Sequence, residues 1–229
     1  MTTVRGAAVP ALTAEQMRGV DRAMAEDLHI ELIQMMENAG RSLAHLAIAR
    51  FAPSSVTVLA GPGGNRRRRP GRRPAPDQPW AHRFSGPVRP NSLAPVPARQ
   101  ADILVRMGAV MATSPTRADL IVEALIGYSL RGDPTGRAAE LIGWANSQPA
   151  PVLALDTPSG LDVTTGRAGT PHIRASATLT IALPKVGLIG TSAVGELYLA
   201  DISVPAIVYQ RMGLTTPELF RDDVVIRLG

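Results

Sequence analysis

The chain has 229 residues, of which 45% are hydrophobic and only 3% aromatic, and its formal net charge is +5. This length can bury a sizeable core in one domain, and a core poor in aromatic residues favours a parallel sheet covered by helices over a sandwich or a barrel. The absence of cysteine excludes disulfides and thiolate metal sites.

The sequence carries no targeting signal that we recognise. The first fifteen residues lack the continuous apolar run of a signal peptide, and no apolar stretch is long enough to span a bilayer. Because cysteine is absent as well, we expect a cytoplasmic protein without membrane contact.

The positive charge is concentrated in one stretch, residues 66–92, which contains eight arginines and a single acid. The rest of the chain is slightly acidic. This distribution argues against nucleic acid as a partner, because only one insert-like segment is basic.

The chain begins with two predicted helices. Thr13 and Gln16 have the spacing of a capping box, and apolar residues then recur at helical spacing up to Leu28. A second helix is predicted over 32–47. It contains Met36-Glu37-Asn38-Ala39-Gly40, which could line a pocket, although an exposed polar edge is the interpretation we favour.

A strand predicted over 55–60 runs directly into Gly61-Pro62-Gly63-Gly64-Asn65. A glycine-rich loop after a strand can bring backbone amides up to a phosphate, and a plain tight turn is the alternative. The loop lacks the spacing and the Lys-Ser or Lys-Thr pair of a P-loop.

Residues 66–92 show neither helical nor strand periodicity and are rich in arginine and proline. They could be a disordered basic linker or a nucleic-acid tether. We favour a third hypothesis, a pair of compensating frameshifts in the gene or its reading. Arginine and proline codons of a GC-rich gene, read one base later, yield mostly small and apolar residues. With a suitable choice of codons, among them CGA for Arg68 and CGG for its neighbours, Asn65 onward becomes NGGDGLVAARHLTNRGH, a glycine loop followed by an amphipathic helix. Sequencing of the DNA tests this hypothesis.

The middle of the chain predicts a helix over 98–111 and a strand over 118–126. Glu123 lies inside this strand, and a buried carboxylate needs a partner, such as a cation. A capping role at the strand end is an equal alternative. The following loop carries Arg131, which could bind a phosphate or be solvated.

A helix over 138–146 precedes four apolar residues, 152–155, that predict a buried parallel strand ending at Asp156. Ligands of open α/β sheets bind beyond the carboxyl ends of such strands, so Asp156 has the position of a catalytic or binding acid; an Asp that caps the following turn is equally compatible.

Two further strands are predicted over 177–183 and 196–200, and the tail after Pro205 carries no clear signal. Lys185 adds one more polar group just past the end of a strand, although most lysines in such positions are solvated. The alternation of strands and helices predicts an α/β fold with a doubly wound, mostly parallel sheet in one domain, residues 1–229. The histidines share no metal-ligand spacing.

Five motifs in order resemble those of the YjeF N-terminal family, the NAD(P)H-hydrate epimerases. They are Met36-Glu37-Asn38-Ala39-Gly40, Gly61-Pro62-Gly63-Gly64-Asn65, Glu123-Ala124-Leu125-Ile126-Gly127, Asp156-Thr157-Pro158-Ser159-Gly160-Leu161-Asp162 with Gly166, and Pro184-Lys185-Val186-Gly187. The resemblance implies a three-layer αβα Rossmann-like fold, a homodimer, and a metabolite-repair isomerase that interconverts the R and S epimers of hydrated NADH or NADPH.

The resemblance also implies roles for individual residues. Asp156 would contact the substrate and act as the acid/base. A potassium ion would be held by Asn65, Glu123 and Ser159. The substrate would lie along a set of loop residues: Gly64, Asn65, Gly127, Tyr128, Ser129, Leu130, Arg131, Gly132 and Asp133.

Two features depart from the family pattern. Four arginines, 66–69, stand where the family has Gly-Gly-Asp-Gly, and Glu123 stands where the family commonly has Asp. The first departure keeps an alternative open, in which the chain is a non-catalytic dinucleotide-binding or dimerisation module of the same fold.

Overall fold

The computed structural model describes residues 1–6, 9–61, 82–85, 95–107, 109–112, 114–130 and 132–229. Within these ranges the chain forms five α-helices: α1 Ala14–Arg22, α2 Leu32–Phe51, α3 Pro95–Arg106, α4 Gly136–Ser147 and α5 Ala206–Arg211. The strands of the same ranges are β1 Thr3–Val4, β2 Val56–Ala60, β3 His82–Ser85, β4 Val110–Ala112, β5 Leu120–Ala124, β6 Val152–Leu155, β7 Ala177–Ile181, β8 Glu196–Ala200 and β9 Val225–Leu228.

The strands of the described ranges join in a single sheet in the order β1-β9-β8-β7-β6-β5-β2-β3-β4. All neighbouring pairs are parallel except β8 and β9. From β2 the chain moves outward through β3 and β4, and it then returns to β5 on the other side of β2. This reversal is a topological switch point, the place where open α/β sheets bind their ligands in a crevice beyond the strand ends.

Helices cover both faces of the sheet, because successive side chains of a strand point to opposite faces. On β5, Ile121 packs in one cluster with side chains of α4, whereas Leu120 and Val122 pack in another with side chains of α2. The predicted α/β fold with three layers and a mostly parallel sheet is confirmed.

Helix α1 begins as its sequence predicts. The Gln16 amide donates to the Thr13 hydroxyl at 3.2 Å, and the Thr13 amide donates to the Gln16 side chain at 2.9 Å, which completes a capping box. The chain continues as a π-helical turn over Ala23–Asp27.

Replacing Thr13 with alanine is expected to lower the free energy of unfolding by about 1 kcal/mol, because an orphaned amide at the helix start loses its acceptor. Urea denaturation measures the change, and Thr215→Ala at an exposed position is the control. Equal stability of the two variants would contradict the capping role.

The structure differs from the sequence prediction between residues 66 and 112. The helix predicted over 98–111 ends at Arg106, and Val110–Ala112 forms β4. The strand β3 was not predicted, because its residues lack apolar periodicity; its backbone pairs with β2 and β4. The arginine run and most of its stretch lie outside the described residues, so the three interpretations of that stretch stay predictions.

The carboxyl-terminal tail also contains structure that the sequence did not indicate. Helix α5 packs Val208 and Tyr209 into the core, and β9 pairs with β8. Of the helices in the described ranges, none is both long and apolar enough to cross a membrane.

Candidate active site

At the switch point, the backbones that leave β2 and β5 approach each other very closely. The Gly61 amide donates to the Ala124 carbonyl at 2.8 Å, and a Cβ at position 61 would lie 1.8 Å from the Leu125 carbonyl oxygen. Only glycine fits this contact. The rest of the loop, including Gly64 and Asn65, lies outside the described residues, so the roles predicted for these two stay predictions.

Asp156 lies at the carboxyl end of β6 with a φ of 68°, in the left-handed region that Asp tolerates better than most residues. Its amide donates to the Leu179 carbonyl at 2.7 Å. An Asp that caps a turn accepts from a backbone amide, but within the described ranges the Asp156 carboxylate accepts only from Lys185. Strained residues of this kind cluster at functional sites, which favours the functional interpretation.

Lys185 is completely buried and forms an ion pair with Asp156, whose side chain is 13% exposed. The Lys185 Nζ donates to Asp156 Oδ1, to Thr180 Oγ1 at 3.1 Å and to the Ile181 carbonyl at 3.0 Å. These three acceptors match the three protons of an ammonium group. The expectation of a solvated lysine is therefore wrong.

The sequence itself contains an indication that position 185 is unusual. Lys185 is the only lysine of the chain, and every other side chain with a permanent positive charge is an arginine. A lone lysine in such a chain indicates a position where a compact ammonium fits and a planar guanidinium does not.

The two oxygens of Asp156 have different surroundings. Oδ1 accepts from Lys185, whereas Oδ2 lies 3.8 Å from the place that a Cβ would take at Gly127. Oδ2 is thus directed toward the start of the loop after β5. A carboxyl group with one oxygen fixed by a cation and the other beside a ligand crevice is suited to proton transfer.

Glu123, which lies in β5, is completely buried. Its Oε1 accepts from the Leu125 amide at 2.7 Å and from the Ser159 hydroxyl at 2.5 Å, and its Oε2 accepts from the Ser159 amide at 3.1 Å. Burial raises the pKa of Glu123 to about 7, although the three hydrogen bonds act in the opposite direction. Within the described ranges Glu123 forms no ion pair.

The donor set around Glu123 fits a hard cation. Besides the Glu123 carboxylate, this set contains the Ser159 hydroxyl, which lies 3.1 Å from the Ile126 carbonyl. Carboxylate, hydroxyl and carbonyl oxygens are ligands of hard cations. The described residues contain no group of three or more His, Asp or Glu that could hold a metal ion, so the cluster does not have the donor types of a transition-metal site.

The loop of residues 127–133 follows the end of β5, beside Asp156. Gly127 and Ser129 are exposed, Leu130 is half-buried, and Gly132 has a φ of 72°. Arg131 lies outside the described residues, so its predicted role stays a prediction.

Hydrogen bonds hold this loop at both ends. The Tyr128 hydroxyl donates to Asp21 Oδ2 at 2.5 Å, and Asp133 Oδ1 accepts from the Thr170 amide at 3.2 Å. Asp133 also lies 3.9 Å from the Arg167 guanidinium.

Asp21 was not singled out from the sequence. Burial raises its pKa, and the nearby charge of Asp156 acts in the same direction, whereas the Tyr128 hydrogen bond and Lys185 lower it. The signal was an acid on the buried face of α1, between Met17 and Met24. Periodicity alone did not show which partner such an acid would have.

Comparison with known proteins identifies relatives of the chain. Residues 90–187 match the family described as YjeF-related protein N-terminus. The NAD(P)H-hydrate epimerase of Dehalogenimonas lykanthroporepellens is 39% identical over 93% of this chain and 90% of its own length. The NAD(P)H-hydrate epimerase of Truepera radiovictrix is 33% identical over 89% of this chain and 94% of its own length.

A solved structure supports the same fold. The crystal structure of yeast ynu0, YNL200c, superimposes with a TM-score of 0.75 at 17% identity, covering 96% of this chain and 100% of that one. At this identity the likeness concerns the fold alone.

Proposed function

Because this chain belongs to the NAD(P)H-hydrate epimerase family of YjeF-related protein N-termini, we propose that it is an isomerase that interconverts the R and S epimers of hydrated NADH and NADPH. The observation that carries this proposal is the Asp156 carboxyl, fixed through Oδ1 by the buried Lys185 and turned through Oδ2 toward the loop after β5. The reaction serves metabolite repair.

The chemistry of the substrate suits a single acid/base group. The hydrated ring carries a hydroxyl on the carbon next to the ring nitrogen, and the nitrogen lone pair assists the departure of that hydroxyl. Asp156 in its acid form gives its proton to the leaving hydroxyl, which departs as water. The resulting carboxylate then takes a proton from a second water as that water attacks the opposite face, so that Asp156 ends in its starting state.

Lys185 supports both steps without touching the substrate. Its ammonium stabilises the Asp156 carboxylate that forms after proton transfer, because the two charges lie in contact in a buried environment. Its bonds to Thr180 and Ile181 keep the ammonium in place. The acid/base group therefore needs no reorganisation between the two half-reactions.

We further propose that Glu123 and Ser159, together with Asn65, hold a potassium ion. Support comes from the buried Glu123 carboxylate, which has hydrogen-bond donors but no cation beside it within the described ranges, and from the adjacent hydroxyl and carbonyl oxygens. When bound, the ion would supply positive charge at the floor of the crevice.

Potassium is expected to raise the melting temperature, because a ligand that binds only the folded chain stabilises it, by roughly 2.7 kcal/mol at a hundredfold excess over Kd. Differential scanning calorimetry in potassium and in tetramethylammonium chloride measures the effect. Glu123→Gln should abolish it, and Glu26→Gln at an exposed position should retain it. An equal rise in the Glu123 variant would exclude the site.

We propose that the dinucleotide of the substrate lies along residues 127–133, Arg131 included, and that Gly64 and Asn65 contact it from the opposite side of the crevice. Support for the first part comes from the position of Gly127 beside Asp156 and from the exposed backbone of the loop. Support for the second comes from Gly61, which precedes these two residues in the chain and lies against Ala124 and Leu125 at the end of β5. Backbone amides of such loops suit a pyrophosphate.

A second candidate function is a non-catalytic dinucleotide-binding or dimerisation module of the same fold. The observation that favours it is the run of arginines at 66–69 in the place of the family's Gly-Gly-Asp-Gly. This candidate keeps the fold and the crevice but predicts no turnover.

We also propose that residues 1–229 form one domain, that two copies form a homodimer, and that the protein acts in the cytoplasm. The single sheet that contains all strands of the described ranges supports the first. The family resemblance supports the second, and light scattering against the 24.2 kDa mass of one chain tests it. The absence of cysteine, and hence of any need for an oxidising compartment, supports the third.

The test of the proposed function is the conversion of pure R-hydrate of NADH, followed by chromatography with purified protein and potassium. Conversion to the S epimer well above the spontaneous rate supports the enzyme. If only a frame-restored version with Gly-Gly-Asp-Gly converts the hydrate, the chain as written is a disabled epimerase. No conversion by either version favours the binding module.

A further inference from the structure

We propose that Asp21 and Tyr128 form a clamp that holds the start of the 127–133 loop beside the Asp156 carboxyl, which makes Asp21 a positioning residue for hydrate binding. This inference rests on the proposed function for its substrate, but the clamp itself is testable without turnover.

The clamp joins two distant parts of the chain. Asp21 and Tyr128 are 107 positions apart, and the Tyr128 hydroxyl donates to Asp21 Oδ2 at 2.5 Å. Asp21 is carried by α1, which is anchored in the core by the buried Met17 and Val20. Tyr128 is carried by a loop, and loops are generally more mobile than helices. The hydrogen bond therefore ties the loop to a helix that is itself held in the core.

The clamp lies within electrostatic reach of the catalytic pair. Asp21 is affected by the negative charge of Asp156 and by the positive charge of Lys185, and Tyr128 is affected by Asp156 and by Arg18. Burial and the Asp21 carboxylate both raise the pKa of Tyr128, so its hydroxyl keeps its proton and remains a donor at neutral pH.

The other end of the loop is tied independently. Asp133 accepts from the Thr170 amide, and a Cβ at Gly169 would lie 2.6 Å from Asp133 Oδ1, so the 167–170 segment and Asp133 are in close contact. Loss of the Tyr128 hydrogen bond would therefore release only the end of the loop next to Asp156. That end includes Gly127, which is exposed and lies beside Asp156 Oδ2.

The clamp predicts a defined kinetic change. Tyr128→Phe keeps the ring and its packing against the core but removes the hydroxyl, and we expect the KM for hydrated NADH to rise by roughly tenfold while kcat changes less than about threefold. Asp21→Ala should have the same effect, and Asp21→Asn, which retains an acceptor, should have a smaller one. The double variant Asp21→Ala/Tyr128→Phe should be no worse than either single variant, because the two residues act as one unit.

Tyr198→Phe is the matched control. Tyr198 also donates to a carboxylate, Glu196 Oε2 at 2.8 Å, and is more buried than Tyr128. It lies on β8, so its substitution should leave KM unchanged. A KM for Tyr128→Phe no higher than that of Tyr198→Phe, or additive effects in the double variant, would overturn the clamp.

Hydrogen exchange separates failure of the clamp from failure of the proposed function. Amides of residues 127–130 should exchange faster in Tyr128→Phe than in the unsubstituted protein, whether or not either converts the hydrate. Unchanged exchange in this segment would overturn the clamp even in an active enzyme. Faster exchange in a protein without turnover would retain the clamp and reject the epimerase.

Discussion

Replacing Asp156 with asparagine is expected to lower kcat for hydrate epimerisation by roughly 10²- to 10⁴-fold, the usual contribution of a general acid/base. Asparagine has nearly the same shape, tolerates the left-handed backbone conformation found at this position, and still accepts a hydrogen bond from Lys185. It cannot exchange a proton with the leaving hydroxyl or the incoming water. The fold should therefore persist while turnover is lost.

Two measurements are needed to interpret this variant. Circular dichroism should show an unchanged spectrum but a lower melting temperature, because the buried Lys185 ammonium loses its anionic partner. Binding of the hydrate, measured by calorimetry, should change little. Asp222→Asn, an exposed acid outside the site, is the matched control and should keep full activity. An Asp156→Asn variant with undiminished turnover would remove Asp156 from the mechanism and assign the acid/base role to another group.

Replacing Lys185 with methionine is expected to lower the free energy of unfolding by roughly 3 kcal/mol, the lower end of the range for breaking one partner out of a buried ion pair. The side chain of Lys185 is fully buried and that of Asp156 nearly so, and methionine leaves the Asp156 carboxylate without its cation. Turnover should fall as well, because the carboxylate formed during proton transfer loses its stabilising charge. Urea denaturation and the epimerisation assay measure the two effects.

The double variant Lys185→Met/Asp156→Asn distinguishes this explanation from a simple packing defect. Removing the unpaired charge should restore part of the lost stability, but not the activity. Lys185→Arg should not restore activity, because a planar guanidinium cannot direct its protons to Asp156, Thr180 and the Ile181 carbonyl from one point. A double variant less stable than Lys185→Met alone would contradict the buried-charge argument.

The sequence predicted the architecture because its signals are local. The buried strand before Asp156, the capping box at Thr13 and the apolar strand that contains Glu123 each follow from residues within a few positions of one another. The order of these elements, alternating with helices, suffices for a parallel sheet.

What the sequence could not provide are the partners that only folding brings together. The pairing of Asp156 with Lys185 spans 29 positions and that of Asp21 with Tyr128 spans 107 positions, and neither has a periodic pattern. Strands β3 and β9 were missed because pairing with neighbouring strands, and not their own composition, makes them strands. Whether Glu123 binds a cation or caps the strand end also depends on residues that are distant in sequence. Its observed partners include the hydroxyl and the amide of Ser159, 36 positions away.

The most direct test of the proposed mechanism follows the hydroxyl oxygen on the hydrated ring during a single turnover in water labelled with oxygen-18. Enzyme in excess over pure R-hydrate of NADH is quenched after conversion, and mass spectrometry of the S epimer gives its oxygen content. If Asp156 protonates the leaving hydroxyl and guides a second water to the opposite face, each S molecule carries one oxygen from the solvent. Conversion to an S epimer that keeps its original oxygen would contradict the acid/base role of Asp156.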